Sequence, residues 1–362
     1  MAKITKIGVS GFKSIEDLQP LELRPVNLLI GPNGAGKSNL ISFLNLLKAI
    51  ADGTLQGYVG RAGGAETLLH YGAKVTPAMW ASIEFTGKTG EGNYFFWLTA
   101  TATDSLVFTQ ERVMYGGAQP YQLGSGYRES LLMEGENQFL EIRELLAGIQ
   151  IFHFHDTSET ALIRKHGYVE DDRFLRKDAG NLAAFLHGLK RRQGAYYRRI
   201  VEAIRQVAPF FDDFALVPRA ETEGKSILLN WKDRDSEHLL GPHQLSDGTL
   251  RAMALITLLL QPDEELPPLI VLDEPEIGMH PYAIEVLASL IRGASVHRPL
   301  IVATQSVSLI DYFEPEDIVV VSRSDGQSRF ERQNSQSLAA WLKEYAIGEL
   351  WEKNMIGGTP SR

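Results

Sequence analysis

The 362-residue sequence predicts an α/β fold built on a central sheet, with an antiparallel β subdomain and a helical lobe. Three observations carry this. First, the short apolar runs Val26–Ile30, Leu269–Leu272 and Leu300–Thr304 are separated by helical segments, the alternation that puts helices on both faces of a parallel sheet. Second, Trp80–Phe85, Tyr94–Thr101 and Ser105–Thr109 follow one another through turns, as an antiparallel meander does. Third, residues 156–210 read as mostly helical and are dense in Arg and Lys.

The elements can be justified in order. Residues 3–9 alternate polar and apolar, a half-buried strand. Val26–Ile30 is a buried strand that runs into the glycine-broken stretch Gly31–Gly36. Leu40, Ile41, Phe43, Leu44, Leu47 and Ile50 then recur at helical spacing up to Gly53. Residues 53–72 carry six glycines and read as a flexible surface loop. Leu182, Phe185, Leu186 and Leu189 form one helical face, without the sustained heptads of a coiled coil. Ser226–Trp231 reads as a strand, Leu245–Leu260 and Ala283–Arg292 as helices, and Leu338–Trp351 as a last helical run.

Composition bounds the chemistry. Hydrophobic residues at 44% and charged residues at 22% are globular values and exclude wholesale disorder. Length predicts about two domains, with one large domain also possible, and the pattern places lobes at 1–150 (phosphate loop and β subdomain), 151–225 (a basic helical insertion) and 226–362. With no cysteine there is no disulfide framework, thiol nucleophile or Cys-ligated metal. A net charge of -9 excludes a general polyanion binder but leaves room for a local basic face. The N-terminus lacks an apolar signal core and no apolar run reaches membrane length, so a cytoplasmic protein without membrane contact is expected.

Four motifs carry chemistry. Gly31-Pro32-Asn33-Gly34-Ala35-Gly36-Lys37-Ser38 is a full G-x-x-x-x-G-K-S between a strand and a helix. Its glycines let backbone N–H groups curl around phosphate oxygens, Lys37 reaches the β- and γ-phosphates, and the Ser38 hydroxyl ligates Mg²⁺. Leu269–Leu272 ends in two carboxylates: Asp273 to hold Mg²⁺ and Glu274 to act as general base on water. Leu245-Ser246-Asp247-Gly248-Thr-Leu-Arg251 opens a helix, and its free amides and serine suit a γ-phosphate, although any helix can start this way. Gln305, after the strand Leu300–Thr304, is placed to sense the γ-phosphate or position water.

In this order the motifs resemble the ABC-type P-loop NTPase heads of the RecF, SMC and OLD-like superfamily. Asn39 after the loop and Phe12-Lys-Ser-Ile before it match this branch, and Leu245–Arg251 is similar to the ABC signature. The resemblance implies a mixed central sheet, ATP and Mg²⁺ as cofactors, and a homodimer in which Leu245, Ser246, Asp247 and Gly248 of one subunit meet ATP on the phosphate loop of the other. It implies an ATPase, with Lys37, Glu274 and Gln305 catalytic, acting in DNA maintenance or phage defence with a separately encoded effector. A regulatory scaffold that gates a toxin or nuclease without touching DNA is the alternative. A transporter subunit is disfavoured by Asn39, Gln305 and the L-S-D-G-T signature. No long coiled coil is expected, nor space for a Toprim nuclease after the last helix. The glutamine coupling metal to the helical lobe is Gln138 or Gln150.

Three weaker features remain. His153, His155 and Asp156 have the spacing of a strand-borne metal pair plus carboxylate but lack a fourth ligand, and read more simply as structural. His280 either touches a dimer partner or enters the helix before Pro281. Lys190-Arg191-Arg192 with Tyr196, Tyr197, Arg198 and Arg199 fits either a DNA backbone contact or a solvated helix face.

Overall fold

The computed structural model describes residues 2–88, 90–134, 137–221 and 224–358. The chain divides into two units. One comprises Met1–Gln150, Pro267–Val271 and Arg298–Arg362; the other comprises Ile151–Leu266 and Leu272–His297.

The buried run Val26–Ile30 forms a strand because every side chain in it finds apolar cover. It lies in a six-stranded mixed sheet ordered Gln327–Arg332, Ile318–Ser324, Val26–Ile30, Leu300–Thr304, Leu269–Asp273, Ile149–Phe152. Leu300–Thr304 runs parallel to Val26–Ile30 with Thr304 opposite Ile30, so the two strands end level. The helix Lys37–Ala51 follows the first of these strands and buries the six predicted apolar positions. Each such burial contributes roughly 1.5–3 kcal/mol. At the other end of this helix the Lys48 ammonium donates to the carbonyl of Ala147, closing the helix Leu140–Ala147.

The predicted meander is present and larger than expected. Its antiparallel order is Ile15–Glu22, Lys3–Phe12, Ala78–Gly87, Gly90–Ala100, Leu106–Tyr115, Tyr121–Gly124. Its core holds a fully buried carboxyl, Glu111, which accepts from Tyr94 Oη at 2.6 Å, from Ser130 Oγ and from Leu131 N at 3.1 Å. Burial pushes Glu111 above its ordinary value of 4.5 despite these donors. The folded state therefore holds a proton that the unfolded chain releases. The resulting stability is complete below 4.5 and is lost as pH rises through the higher folded value. Glu111→Gln mimics the protonated form, and we expect its melting temperature to fall less than wild type's between pH 4.5 and 8, measured by thermal denaturation.

The second unit packs the helices Leu182–Arg192, Gly194–Val207, Asp247–Leu260 and Pro281–Ser295 together. Among the described residues, no helix is long and apolar enough to cross a membrane.

Four segments differ from expectation. The glycine-rich stretch 53–72 holds two helices, Leu55–Arg61 and Ala65–Leu68. Leu55 and Val59 are buried, and the distant Glu129 carboxylate accepts from the amides of Leu55 and Gln56 at 2.7 and 2.9 Å. A cap supplied from far along the chain is invisible to local pattern. Ser226–Trp231 divides between two small sheets, as Gly224–Ile227 and Trp231–Asp233, because the Asn230 amide turns back onto Leu228 O. Residues 156–181 are mostly irregular, held in part by Asn181 Nδ2 on Asp171 O and Phe174 O. Leu338–Trp351 breaks into Ser335–Leu338, a 3₁₀ turn at Trp341–Lys343 and Ile347–Glu352. Its middle offers no buried side chain to dock a continuous helix.

Candidate functional site

The phosphate loop sits where the register puts it. Ile30 and Thr304 are paired, so the residues that follow them emerge side by side, and Gln305 Nε2 donates to Asn33 Oδ1 at 2.9 Å. Lys37 is buried and folds back over the loop, donating to Gly31 O at 2.5 Å and Pro32 O at 3.2 Å. Gly36, the N-cap of the helix Lys37–Ala51, offers no side-chain cap to the amides behind it. Those amides and the helix dipole make an anion site.

Two glycines are required by packing. A Cβ on Gly31 would meet the carbonyl of Val321, and one on Gly36 would meet the Ser328 hydroxyl. Gly34, at φ +79, has no atom within 4 Å of its missing Cβ and leaves the loop open on that side. Beneath the loop Ser328 Oγ donates to Ala35 O at 2.5 Å and lies 2.6 Å from Ser14 Oγ. Asn39 Nδ2 donates to the same Ser14 oxygen at 2.5 Å. Pro32, Asn33, Gly34 and Ser38 remain at least partly accessible, while Ala35 is buried.

In the second unit, Asp273 closes the strand Leu269–Asp273 and Glu274 follows it at φ 43. Positive φ is strained for a residue with a Cβ. The chain then turns through Ile277 N on Glu274 O and Met279 N on Glu276 O. His280 Nδ1 accepts from Tyr282 N at 3.3 Å and caps the helix Pro281–Ser295, the helix-entry alternative of the sequence reading.

Ser246 is the N-cap of the helix Asp247–Leu260, accepting from Thr249 N at 3.2 Å, and is exposed. A residue that the sequence did not single out holds this turn. The buried Arg164 guanidinium donates to Thr157 O at 2.7 Å, to Pro242 O, to Leu245 O at 3.2 Å and to Asp247 Oδ1 at 2.7 Å. The Arg164 bond holds the Asp247 carboxyl below its ordinary value. Asp247 is 65% exposed, so the charge pair itself is worth little. Arg164→Leu orphans buried carbonyls, at about 1–3 kcal/mol each. We expect it to lower the urea midpoint and speed proteolysis near residue 245, whereas Asp247→Asn barely moves either. Gly248 is tight against the Gly278 carbonyl, which leaves no space for a Cβ.

Asp156 stands apart from the two histidines, in keeping with its structural reading. It accepts from Ser158 N and Ser158 Oγ in a local turn. The carboxylate beside them is Asp273, whose Oδ2 lies 3.5 Å from His153 Nδ1. Lys190 and Arg192 of the basic run are tied to Asp213 at 3.3 Å and Asp172 at 2.6 Å. Arg199 lies 5.7 Å from the centre of the Tyr196 ring.

A family model described as "AAA domain, putative AbiEii toxin, Type IV TA system" matches residues 26–113 and 127–311. The chain belongs to this AAA-domain family. Solved structures show the same fold at low identity. The Smc head bound to the C-winged helix domain of ScpA is 17% identical with a TM-score of 0.64, over 93% of this chain and 99% of that one. The Smc head with an extended coiled coil, bound to the C-terminal domain of ScpA from Pyrococcus furiosus, is 14% identical with a TM-score of 0.63, over 95% and 99%. The Smc head with a coiled coil and joint from Pyrococcus yayanosii is 12% identical with a TM-score of 0.56, over 95% and 99%. No curated protein matches the sequence. This AAA domain is thus an ATPase domain with the mixed-sheet P-loop fold of an SMC head.

Proposed function

We propose that this AAA domain binds ATP on the loop Gly31–Asn39, dimerises around two nucleotides, and hydrolyses them to gate a separately encoded effector. The loop carries the reading: a glycine-walled turn open at Gly34, an uncapped helix start, a buried Lys37 folded over it, and Gln305 on Asn33. These features fit a triphosphate. Lys37 exchanges its carbonyl acceptors for β- and γ-oxygens. Gln305 bridges loop and γ-phosphate or orients water. Glu274 takes the proton of that water.

The Ser38 hydroxyl and Asp273 carboxylate are oxygen donors suited to Mg²⁺, which when bound neutralises phosphate charge. Leu245, Ser246, Asp247 and Gly248 form the second cradle, offered to a partner's nucleotide. The Ser246 oxygen accepts within its own helix, but its hydroxyl proton and the first amides of the helix can face a γ-phosphate. The toxin–antitoxin description of the family supports a toxin–antitoxin context for that effector. A direct DNA contact through Arg191, Arg198 and Arg199 is the second reading. It is weakened because Lys190 and Arg192 already have acidic partners.

The test is the light-scattering mass of Glu274→Gln with and without ATP–Mg²⁺. A doubling supports the sandwich. An unchanged single-chain mass with nucleotide bound removes it.

A further inference from the structure

We propose that His153, His155 and Asp273 form a binding site for a divalent transition-metal ion of the Mn²⁺, Co²⁺ or Zn²⁺ class. One ligand atom from each of the three residues lies within 4.8 Å of the others. His153 Nδ1 and Asp273 Oδ2 are 3.5 Å apart, and the two imidazole centroids are 6.1 Å apart. Bonds of about 2.0–2.2 Å bring such atoms within roughly 3–4 Å of one another, a closing that side-chain rotation supplies.

The backbone is already set for it. His153 and His155 follow the strand Ile149–Phe152 and flank Phe154, which turns inward and is buried against Phe152. Both imidazoles are exposed. The His153 amide donates to Lys177 O at 3.2 Å. The buried Arg251 guanidinium donates to Phe154 O at 2.8 Å, to His155 O at 3.0 Å and to Ile277 O. One side chain therefore ties the histidine segment to the turn that follows Asp273. Holding ligands through their supporting shell raises metal affinity before any ion arrives.

The donor set decides the class of ion. Two imidazole nitrogens and one carboxylate oxygen suit first-row transition ions, whereas Mg²⁺ selects oxygen and keeps its waters. Three protein ligands leave coordination positions open, the arrangement of a reactive rather than a structural site. Asp273 is also a proposed Mg²⁺ donor, so this site makes ion identity a property of the histidines.

The proposal does not rest on the nucleotide reading, since all three donors and the arginine clamp lie in one unit. It is tested on the full chain without nucleotide. Titration with Co²⁺ should show a single equivalent with visible d–d absorption that excess Mg²⁺ does not displace. His153→Ala and His155→Ala should each weaken binding by more than about 100-fold, beyond what loss of an outer partner costs. His297→Ala, at an exposed pair with Asp263 (3.3 Å), should bind as wild type. Bound Mn²⁺ in the wild type should show imidazole nitrogen couplings by pulsed EPR, a readout that needs no substitution. No Co²⁺ binding, no nitrogen coupling, or equal binding in the folded histidine variants overturns the site. ATP affinity in the same samples reads the loop separately.

Discussion

Glu274→Gln is expected to lower ATP turnover about 10²–10⁴-fold, the contribution of a positioned general base, while nucleotide affinity stays within a few-fold of wild type. Glutamine keeps the length and hydrogen-bonding reach of the side chain and tolerates the φ of 43 no better and no worse than glutamate. What it loses is the ability to accept a proton from water. If hydrolysis ends the ATP-bound state, blocking it must lengthen that state, and the doubled mass should persist for as long as ATP is present. Single-turnover kinetics and light scattering on one preparation separate the two claims. Normal turnover in this variant would move the base elsewhere in the site. Lost turnover without a change in mass would keep the base and remove the dimer.

Gly36→Ala is expected to abolish measurable ATP binding. Two costs add at this position. The backbone lies at φ +125, where a Cβ costs of order 1–3 kcal/mol. The new methyl also overlaps the Ser328 hydroxyl, which is held by Ala35 O and Ser14 Oγ. Displacing it orphans buried polar atoms at about 1–3 kcal/mol each. Every 1.4 kcal/mol is about tenfold in affinity, so a loss of 10²-fold or more should show by calorimetry with a non-hydrolysable analogue. Gly36→Ala with Ser328→Gly removes the overlap but not the φ cost, and should recover part of the affinity. No recovery would mean that strain alone sets the effect. Full recovery would mean that packing alone does.

The sequence by itself determined the local machinery. A glycine pattern between an apolar strand and an amphipathic helix is enough to specify the strand, tight turn and helix of Val26–Ala51, because each step is a contact between neighbours in the chain. The same holds for Ser246 as a helix cap, for Asp273 and Glu274 at a strand end, and for the strands from Ala78 to Tyr115, which pair in succession, whereas the pairing of Lys3–Phe12 with Ala78–Gly87 is long-range. The tertiary structure alone decided what depends on residues far apart in the chain. The pairing of Ile30 with Thr304 brings Gln305 to Asn33. Ser14 and Ser328 meet beneath the loop and make Gly36 obligatory. Arg164 reaches Leu245 and Asp247 across an irregular stretch, and Glu129 caps a helix where the glycine pattern reads as a loop. Asp156 lies next to the histidines in sequence, yet it is Asp273 that lies beside them in space. Periodicity and motif report which face of an element is buried or which turn it makes. They carry no information on which distant side chain satisfies a given polar atom, because that is set by strand order and register once the core has closed.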